Sequence, residues 1–242
     1  MSAQSQAEQK IEPGKASHDF EPPQALVDFM ATGWVDRPVD AAVHPQASRF
    51  AQRREALSRA FPGIYIVIPA GRERVRANDT SFRFRPSSDF AYLNGDGEPG
   101  ALLVLEPDGS SHRSLLFVPA HNRGTAEFFT DRVYGELWVG RHRGVDESRA
   151  YFGVDDCRPL QAVETYLEEL RDGNHARRVL RGHDEEVDGR LAAGDGDDEL
   201  AERLSEMRLV KDGYELDELR RACAVSKLAF EDAIRVMRHA RS

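Results

Sequence analysis

The sequence contains few of the residue arrangements that carry metal or nucleophile chemistry. Only two of the 242 residues are cysteine, Cys157 and Cys223, and their separation favours reduced, structural thiols over a disulfide or a metal pair. The eight histidines form no His-x-x-x-His or His-x-x-Glu-His pattern, and no Cys-x-x-Cys or Gly-x-Ser-x-Gly motif is present. By these criteria the sequence shows no catalytic machinery.

Long apolar runs and a basic charge excess are missing as well. No apolar run approaches the ~18–20 residues that a membrane-spanning helix needs. Residues 1–10 lack the apolar core of a secretion signal, so we expect a cytoplasmic protein without membrane attachment. The formal charge of −9 argues against nucleic-acid binding, which needs a basic surface. The hydrophobic content of 40% is ordinary for a folded protein.

One acidic segment has the residue types of a metal site. His183 is followed by Asp184, Glu185 and Asp188, side chains that could hold a divalent ion weakly. The surrounding stretch, Gly182 to Asp198, is polar and rich in glycine, which predicts an exposed loop. Because such a loop does not preorganise its ligands, we interpret these acids as a solvated surface.

Two further motifs are weak candidates for chemistry. Ser88 and Asp89 could form a charge-relay set with a distant histidine, although a chain of this size commonly offers such a combination. The glycine-containing run at 95–97 precedes Glu98, whose negative charge disfavours a phosphate-binding loop. Short polar residues in this region are typical of turns and helix caps, and we interpret them so.

The first third of the chain divides into a leader and an ordered part. Residues 1–45 lack periodicity and predict a mobile leader, with a short helix around Ala25–Met30. Phe50, Leu57 and Phe61 then recur at helical spacing and predict an amphipathic helix.

Several runs predict strands. The β-branched and aromatic run from Ile64 to Ile68 is typical of a strand covered on both faces. Phe90 to Leu93 is a second strand candidate. Ala101 to Leu105 and Ser114 to Val118 flank the turn residues Pro107-Asp108-Gly109-Ser110, which predicts a hairpin.

The second half of the chain predicts helices and one short strand. Leu160 to Leu170 has helical spacing, and 178–180 predicts a strand. Asp212 and Glu215 have the spacing of a capping box at the start of a long helix that runs nearly to the end of the sequence. Strands that alternate with helices, together with a hairpin, predict a three-layer α/β fold. A mixed sheet with flanking helices would be followed by a long C-terminal helix.

Four segments in a fixed order resemble one protein family. They are residues 76–105, residues 125–132, the run 137–144 that reads Leu-Trp-Val-Gly-Arg-His-Arg-Gly, and the connector 209–212 with the helix that follows it. Together they resemble the N-terminal domain of Xaa-Pro aminopeptidase (aminopeptidase P) and its passage into the catalytic domain.

The resemblance implies a fold, a domain plan and an activity. Residues 46–208 would be the family's N-terminal domain, an α/β layer with a ribonuclease-H-like motif. They would follow a disordered leader at 1–45 and precede a linker and the first helix of a truncated catalytic domain at 209–242. The whole enzyme would be a metallopeptidase that removes a residue preceding proline, with two manganese ions held by ligands beyond this sequence. We therefore expect this chain to bind no cofactor, to have no catalytic residue and to be inactive alone.

Two residues are similar to family positions outside the metal centre. Trp138 matches a tryptophan that, in family oligomers, extends towards a neighbouring subunit's active site, where an indole suits a proline ring. The alternative for Trp138 is a buried core tryptophan. Asp79 matches an acid at the domain interface, with a turn cap as its alternative.

Two functions follow as hypotheses. In the first, this domain serves homo-oligomer assembly and access to the active site of an enzyme that acts on proline-containing peptides. In the second, it is a free-standing, non-catalytic protein-binding module of peptidase-like fold, whose negative charge attracts basic partners. Creatinase- or prolidase-type substrate preference is a further alternative within the first.

Overall fold

A computed structural model describes residues 22–35, 42–78, 80–237 and 239–240. These residues form two compact units. The smaller comprises 22–35 and 119–144, and the larger comprises the remaining described residues, from 42 to 118 and from 145 onwards. We refer to them as the aromatic unit and the sheet unit.

The helices and strands follow one another along the chain as α1 (Gln24–Met30), α2 (Ala47–Ala60), β1 (Tyr65–Pro69), β2 (Val75–Ala77), β3 (Thr80–Ser81), α3 (Ser88–Asn94), β4 (Leu102–Asp108), β5 (Ser111–Val118), α4 (Glu127–Thr130), α5 (Glu136–Val139), α6 (Gly144–Phe152), β6 (Asp156–Pro159), a 3-10 helix (Leu160–Ala162), α7 (Val163–Asp172), β7 (Arg177–Val179), α8 (Glu185–Arg190), α9 (Asp197–Leu209) and α10 (Gly213–Met237). The α1, α4 and α5 helices belong to the aromatic unit.

The sheet unit is built on five strands in the order β6-β5-β4-β1-β7. The two central pairings, β5 with β4 and β4 with β1, are antiparallel. The two outer pairings, β6 with β5 and β7 with β1, are parallel. The sheet is therefore mixed, as the hairpin in the sequence predicted.

Side chains of the central strands alternate between two apolar cores. In β1, Ile66 and Ile68 lie in one core and Val67 lies in the other, and all three are 0% exposed. Helices α2, α3, α6 and α9 pack on the first core, and α7 and α8 on the second. Because both faces of the sheet are covered, its strands read as continuous apolar runs, and the predicted three-layer α/β fold is confirmed.

The central hairpin has the predicted position. Asp108 pairs with Ser111, so Gly109 and Ser110 form the two-residue turn. Gly109 has φ of +61°, a left-handed conformation that glycine adopts without a steric penalty. The hairpin is therefore closed by turn residues within the predicted segment, with glycine at the first position of the two-residue turn.

The prediction of a strand at Phe90–Leu93 was wrong. These residues lie in α3, which begins after Ser87, and the Ser87 hydroxyl accepts a hydrogen bond from the Phe90 N–H at 3.2 Å. Phe90 and Leu93 are both 0% exposed because three-residue spacing places them on one helix face. A short apolar run fits either a strand or a helix, and the capping serine before this run is the signal that indicates a helix.

The predicted exposed loop at Gly182–Asp198 was also wrong in part. Asp184 caps α8 by accepting hydrogen bonds from the N–H groups of Glu186 and Val187. Val187 and Leu191, four positions apart, are 2% and 0% exposed and join the second core. The capping aspartate and the helical spacing of two apolar residues were the signals for this helix.

The two ends of the described chain differ in packing. The helix predicted around Ala25–Met30 is present as α1, whereas residues 1–21 and 36–41 of the predicted leader lie outside the described residues. At the other end, α10 contains 25 residues and none of them is buried. The domain boundary between residues 208 and 209 stays a prediction.

Candidate functional site

Trp138 lies on the surface of the aromatic unit with its indole fixed in place. Its Nε1 donates a hydrogen bond to the Phe129 carbonyl at 2.8 Å. The two rings contact each other with centroids 5.8 Å apart and planes at 31°. The side chain is 58% exposed, so the alternative of a buried core tryptophan was wrong. One edge of the indole is satisfied within the unit while much of its apolar surface faces solvent.

Other exposed apolar side chains belong to the same unit. Val139 is 48% exposed and Val133 is 46% exposed, and both are close to Trp138 in sequence. On the α1 side, Phe29 is 72% exposed and Trp34 is 46% exposed. Exposed aromatic residues with a hydrogen-bonding edge are typical of binding surfaces, because they supply contact area at a low entropic cost.

A buried carboxylate orients the short helix that carries Trp138. Glu136, the first residue of α5, is 5% exposed and accepts hydrogen bonds from His121 Nδ1 at 2.9 Å and the His142 N–H at 3.0 Å. Burial raises the pKa of Glu136, but these two hydrogen bonds outweigh it and leave the pKa below its ordinary value. The backbone N–H of Glu136 donates in turn to Asn122 Oδ1 at 3.1 Å. Glu136 therefore connects α5 to the loops on both sides, a role that the sequence pattern did not indicate.

The second predicted site residue, Asp79, lies outside the described residues. Its neighbours are described: Asn78 has φ of +51°, and Thr80 Oγ1 donates to the Ala77 carbonyl at 2.7 Å. The role of Asp79 stays a prediction.

The acidic segment after Gly182 uses its carboxylates inside the sheet unit. Asp184 is 3% exposed and, besides capping α8, lies 2.9 Å from Arg72 Nε. Asp188 accepts from the Gly182 N–H at 2.9 Å. Across the described ranges, no group of three or more His, Cys, Asp or Glu side chains is placed to hold a metal ion. The described residues therefore do not fit a metal centre.

Ser88 and Asp89 are not arranged as a charge-relay set. Asp89 is 8% exposed and its Oδ1 lies 2.8 Å from Arg208 Nε, an ion pair between α3 and α9. A different serine–histidine contact exists: Ser58 Oγ lies 2.7 Å from His112 Nδ1, and His112 Nε2 donates to the Ile64 carbonyl at 2.8 Å. Ser58 is 4% exposed, and we assign this contact to the packing of α2 on the hairpin.

A cluster of arginines and carboxylates joins α2 to the start of α10. Arg53 lies 2.8 Å from Asp212 Oδ2 and 3.3 Å from Glu215 Oε2, and its guanidinium lies 3.9 Å from the centre of the Tyr92 ring. Arg49 pairs with the same Asp212 oxygen at 2.5 Å. The sequence predicted Asp212 and Glu215 as a capping box but not their arginine partners, which lie more than 150 positions earlier.

The capping box itself is confirmed. The Asp212 N–H donates to Glu215 Oε2, and the Glu215 N–H donates to Asp212 Oδ1, both at 3.0 Å. Burial raises the pKa of Asp212, but the Glu215 N–H and the two arginines have the larger, opposite effect. The pKa is lowered to about 2. An open cleft of about 340 Å³ lies beside this cluster, with Arg53, Tyr92 and Tyr214 among its lining residues.

These features define the class of protein. The chain is a three-layer α/β protein with an exposed tryptophan surface and a long uncovered helix. The family model described as "Aminopeptidase P, N-terminal domain" matches residues 50–180, just over half of the chain. The chain therefore belongs to the aminopeptidase P N-terminal domain family, as the sequence resemblance predicted.

Relatives of known name agree with this assignment. "Xaa-Pro aminopeptidase 1" of Streptomyces coelicolor is 38% identical over 217 residues, which cover 88% of this chain and 43% of that protein. "Xaa-Pro aminopeptidase" of Escherichia coli is 29% identical over 202 residues, which cover 76% of this chain and 44% of that protein. The chain thus spans less than half the length of the curated relatives that it matches.

Solved structures show the same fold. "Proline aminopeptidase P II from Yersinia pestis" is similar with a TM-score of 0.62 and 27% identity, over 77% of this chain and 44% of that one. "Zn substituted E. coli Aminopeptidase P in complex with product" is similar with a TM-score of 0.64 and 26% identity, over the same shares of the two chains.

Proposed function

We propose that this chain serves as the N-terminal domain of a metal-dependent Xaa-Pro aminopeptidase, an enzyme that removes an N-terminal residue preceding proline. The observation that carries the proposal is the match of residues 50–180 to the family's N-terminal domain. The relatives named as Xaa-Pro aminopeptidases support the activity, and they extend well beyond the part that this chain matches.

Within that enzyme, the domain would contribute to assembly and to the entrance of the active site. The exposed and hydrogen-bonded indole of Trp138 supports this role, because a fixed apolar wall can contact a proline ring without losing much side-chain entropy. The domain would act in a homo-oligomer, with Trp138 facing a neighbouring subunit, and Asp79 would face the domain interface. Two manganese ions would be held outside the described residues, and the cytoplasm is the proposed compartment.

The test is the native product, isolated from its own cells with an antibody against residues 46–210. We expect a mass well above 27.2 kDa, and Mn²⁺-dependent cleavage of an Xaa-Pro peptide by the isolated protein. Recombinant residues 1–242 assayed in parallel should be inactive. Cleavage by the recombinant chain alone would contradict the proposal that its catalytic groups lie elsewhere.

A free-standing binding module is the second candidate. The exposed apolar side chains of α10 favour it, because a long helix with no buried residue offers a docking surface. A native mass of 27.2 kDa with a co-purifying basic protein would support this candidate over the peptidase. A native product of that mass without any partner would argue against it.

A further inference from the structure

Residues 22–35 precede the segment that the family model matches, yet they pack within the aromatic unit. Val27 is the buried residue of α1, at 6% exposure. After the helix, Trp34 Nε1 donates to the Met30 carbonyl at 2.6 Å, which fixes the indole against the end of α1. This part of the predicted leader is therefore an ordered element with a defined side-chain arrangement.

The leader segment contacts α4 and the loop before it, through one interaction each. The Trp34 ring lies against Phe128, with centroids 5.1 Å apart and planes at 58°, and Phe128 is only 1% exposed. Arg123 Nη1 donates to the Val35 carbonyl at 2.7 Å, which ties the end of the segment to the loop before α4. An aromatic contact and a charged hydrogen bond together hold residues 34 and 35 on this loop and helix.

The next residue of α4 contacts Trp138. Phe128 faces Trp34, and the next residue, Phe129, supplies both the ring and the carbonyl that fix the Trp138 indole. A helix of four residues is not stable alone, because nucleation costs more than its few hydrogen bonds return. The orientation of α4 therefore depends on the side chains that pack against it, and Trp34 is one of them.

We propose that residues 22–35 clamp α4 and thereby set the orientation of Trp138, which makes Trp34 a positioning residue for the Trp138 surface. The clamp itself is independent of the substrate. Its consequence for proline-containing peptides rests on the proposed function. Residues 22–35, which lie outside the family match, thereby act as a specificity-determining element of the domain.

The test uses the fluorescence of Trp138 in the full chain. The sequence contains two tryptophans, so Trp34→Phe and Trp34→Ala both leave Trp138 as the single emitter. Phenylalanine keeps a ring against Phe128, whereas alanine removes it. We expect Trp34→Ala to increase acrylamide quenching of Trp138 and to accelerate hydrogen exchange of the α4 amides about tenfold relative to Trp34→Phe.

Two controls separate the clamp from general destabilisation. Phe29→Ala in the Trp34→Phe background changes a 72% exposed aromatic residue of α1 and should leave Trp138 quenching unchanged. Exchange of the β1 amides, in the sheet unit, should be the same in all variants. Equal quenching and equal α4 exchange in Trp34→Ala and Trp34→Phe would overturn the proposal.

An activity measurement on the native full-length protein distinguishes the two proposals. Trp34→Ala should raise KM for an Xaa-Pro peptide with little change in kcat, and Trp34→Phe should restore KM. A protein that cleaves no such peptide would refute the proposed function while the fluorescence result still decides the clamp. An unchanged KM in a protein whose Trp138 has become mobile would refute the link between the clamp and the substrate.

Discussion

Arg53 and Asp212 lie 159 positions apart in the sequence, and their side chains meet at 2.8 Å. Arg53 comes from α2, at the beginning of the sheet unit, and Asp212 is the residue that caps α10. The same guanidinium donates to the Tyr92 carbonyl at 3.0 Å. One half-buried arginine therefore fixes the point from which the long helix α10 leaves the sheet unit.

Replacement of this arginine should weaken the start of α10 and the sheet unit together. We expect Arg53→Met to lower the free energy of unfolding by about 1–3 kcal/mol, because the Asp212 carboxylate and the Tyr92 carbonyl lose a charged donor. Urea unfolding followed by circular dichroism measures this change. The control is Arg59→Met on the same helix, where the 70% exposed side chain pairs with Glu55 and the cost should stay within about 0.5 kcal/mol. Equal costs for the two variants would contradict the role of Arg53.

The ion cluster also predicts a dependence on pH. The pKa of Asp212 falls from 3.8 to about 2 in the folded chain, because the Glu215 N–H, Arg49 and Arg53 stabilise its ionised form there. The resulting stabilisation is complete above the ordinary pKa and is lost as the pH falls from about 3.8 towards 2. Asp212→Asn should therefore be less stable than the parent chain at neutral pH and approach it near pH 2.

The measurement is the difference in urea midpoint between Asp212→Asn and the parent chain at each pH. Other carboxylates with a lowered pKa, such as Asp155 and Asp197, are present in both proteins, so their contribution cancels in this difference. The matched control is Asp217→Asn, an exposed aspartate in the first turns of α10 that pairs with Arg220. A difference that is constant from neutral pH to pH 2 would rule out Asp212 as the titrating group.

The buried Arg54, next to Arg53, predicts a larger loss of stability. Its guanidinium is surrounded by the sheet unit and donates to the Leu93 carbonyl at 3.0 Å and the Gly153 carbonyl at 2.8 Å. Burial lowers the pKa of Arg54 to about 10, partly offset by the charge of Asp155. We expect Arg54→Met to cost about 2–4 kcal/mol, since the Leu93 and Gly153 carbonyls lose their donor.

Arg54→Lys is the informative comparison for this site. A lysine keeps the charge but, as a single donor centre, cannot serve both carbonyls with the geometry of a guanidinium. We expect it to recover only part of the loss in urea unfolding. Full recovery by lysine would show that charge, and not the pair of carbonyl contacts, explains the requirement for arginine.

Local patterns predicted much of this fold, because the responsible forces act between near neighbours. The Gly109-Ser110 turn, the apolar run of β1 and the Asp212–Glu215 capping box each depend on residues within a few positions of one another. Phe90–Leu93 was mistaken for a strand because a four-residue apolar run fits both periods. Ser87 caps the start of α3 and favours the helix, and this capping residue is also a local signal.

The remaining features depend on contacts that the sequence pattern does not display. The pairing of Arg53 with Asp212 and the contact of Trp34 with Phe128 join residues that are distant in sequence. Composition placed Trp34 in a leader, since the polar and proline-rich residues around it suggest disorder. Trp34 makes these contacts because residues 22–35 and 119–144 fold into one unit. Trp138 was selected by resemblance to a family, and its role remains a prediction.

The uncovered apolar side chains of α10 lead us to expect association between copies of this chain. Residues of α10 at alternating three- and four-residue spacing form one stripe: Leu216, Leu219, Cys223, Ser226, Phe230, Ala233 and Met237. This is the spacing of a coiled-coil seam, although the cysteine, serine and alanine positions make it a weak one. Because no residue of α10 is buried, we expect its amides to exchange much faster than those of β1 in a dilute monomer. At high concentration the chain should sediment as a larger species.

Sedimentation of a double variant tests whether the stripe is responsible. Leu219→Glu with Phe230→Glu places charge on two large apolar positions of the seam and should leave the chain monomeric at concentrations where the parent associates. Ala224→Glu adds a charge to the same helix away from the stripe and should associate as the parent does. All samples need a reductant, because Cys223 is exposed and a disulfide between copies would imitate the seam. If α10 amides in a dilute parent monomer were as protected as those of β1, the helix would already be covered within one chain, and the expected association would have no driving force.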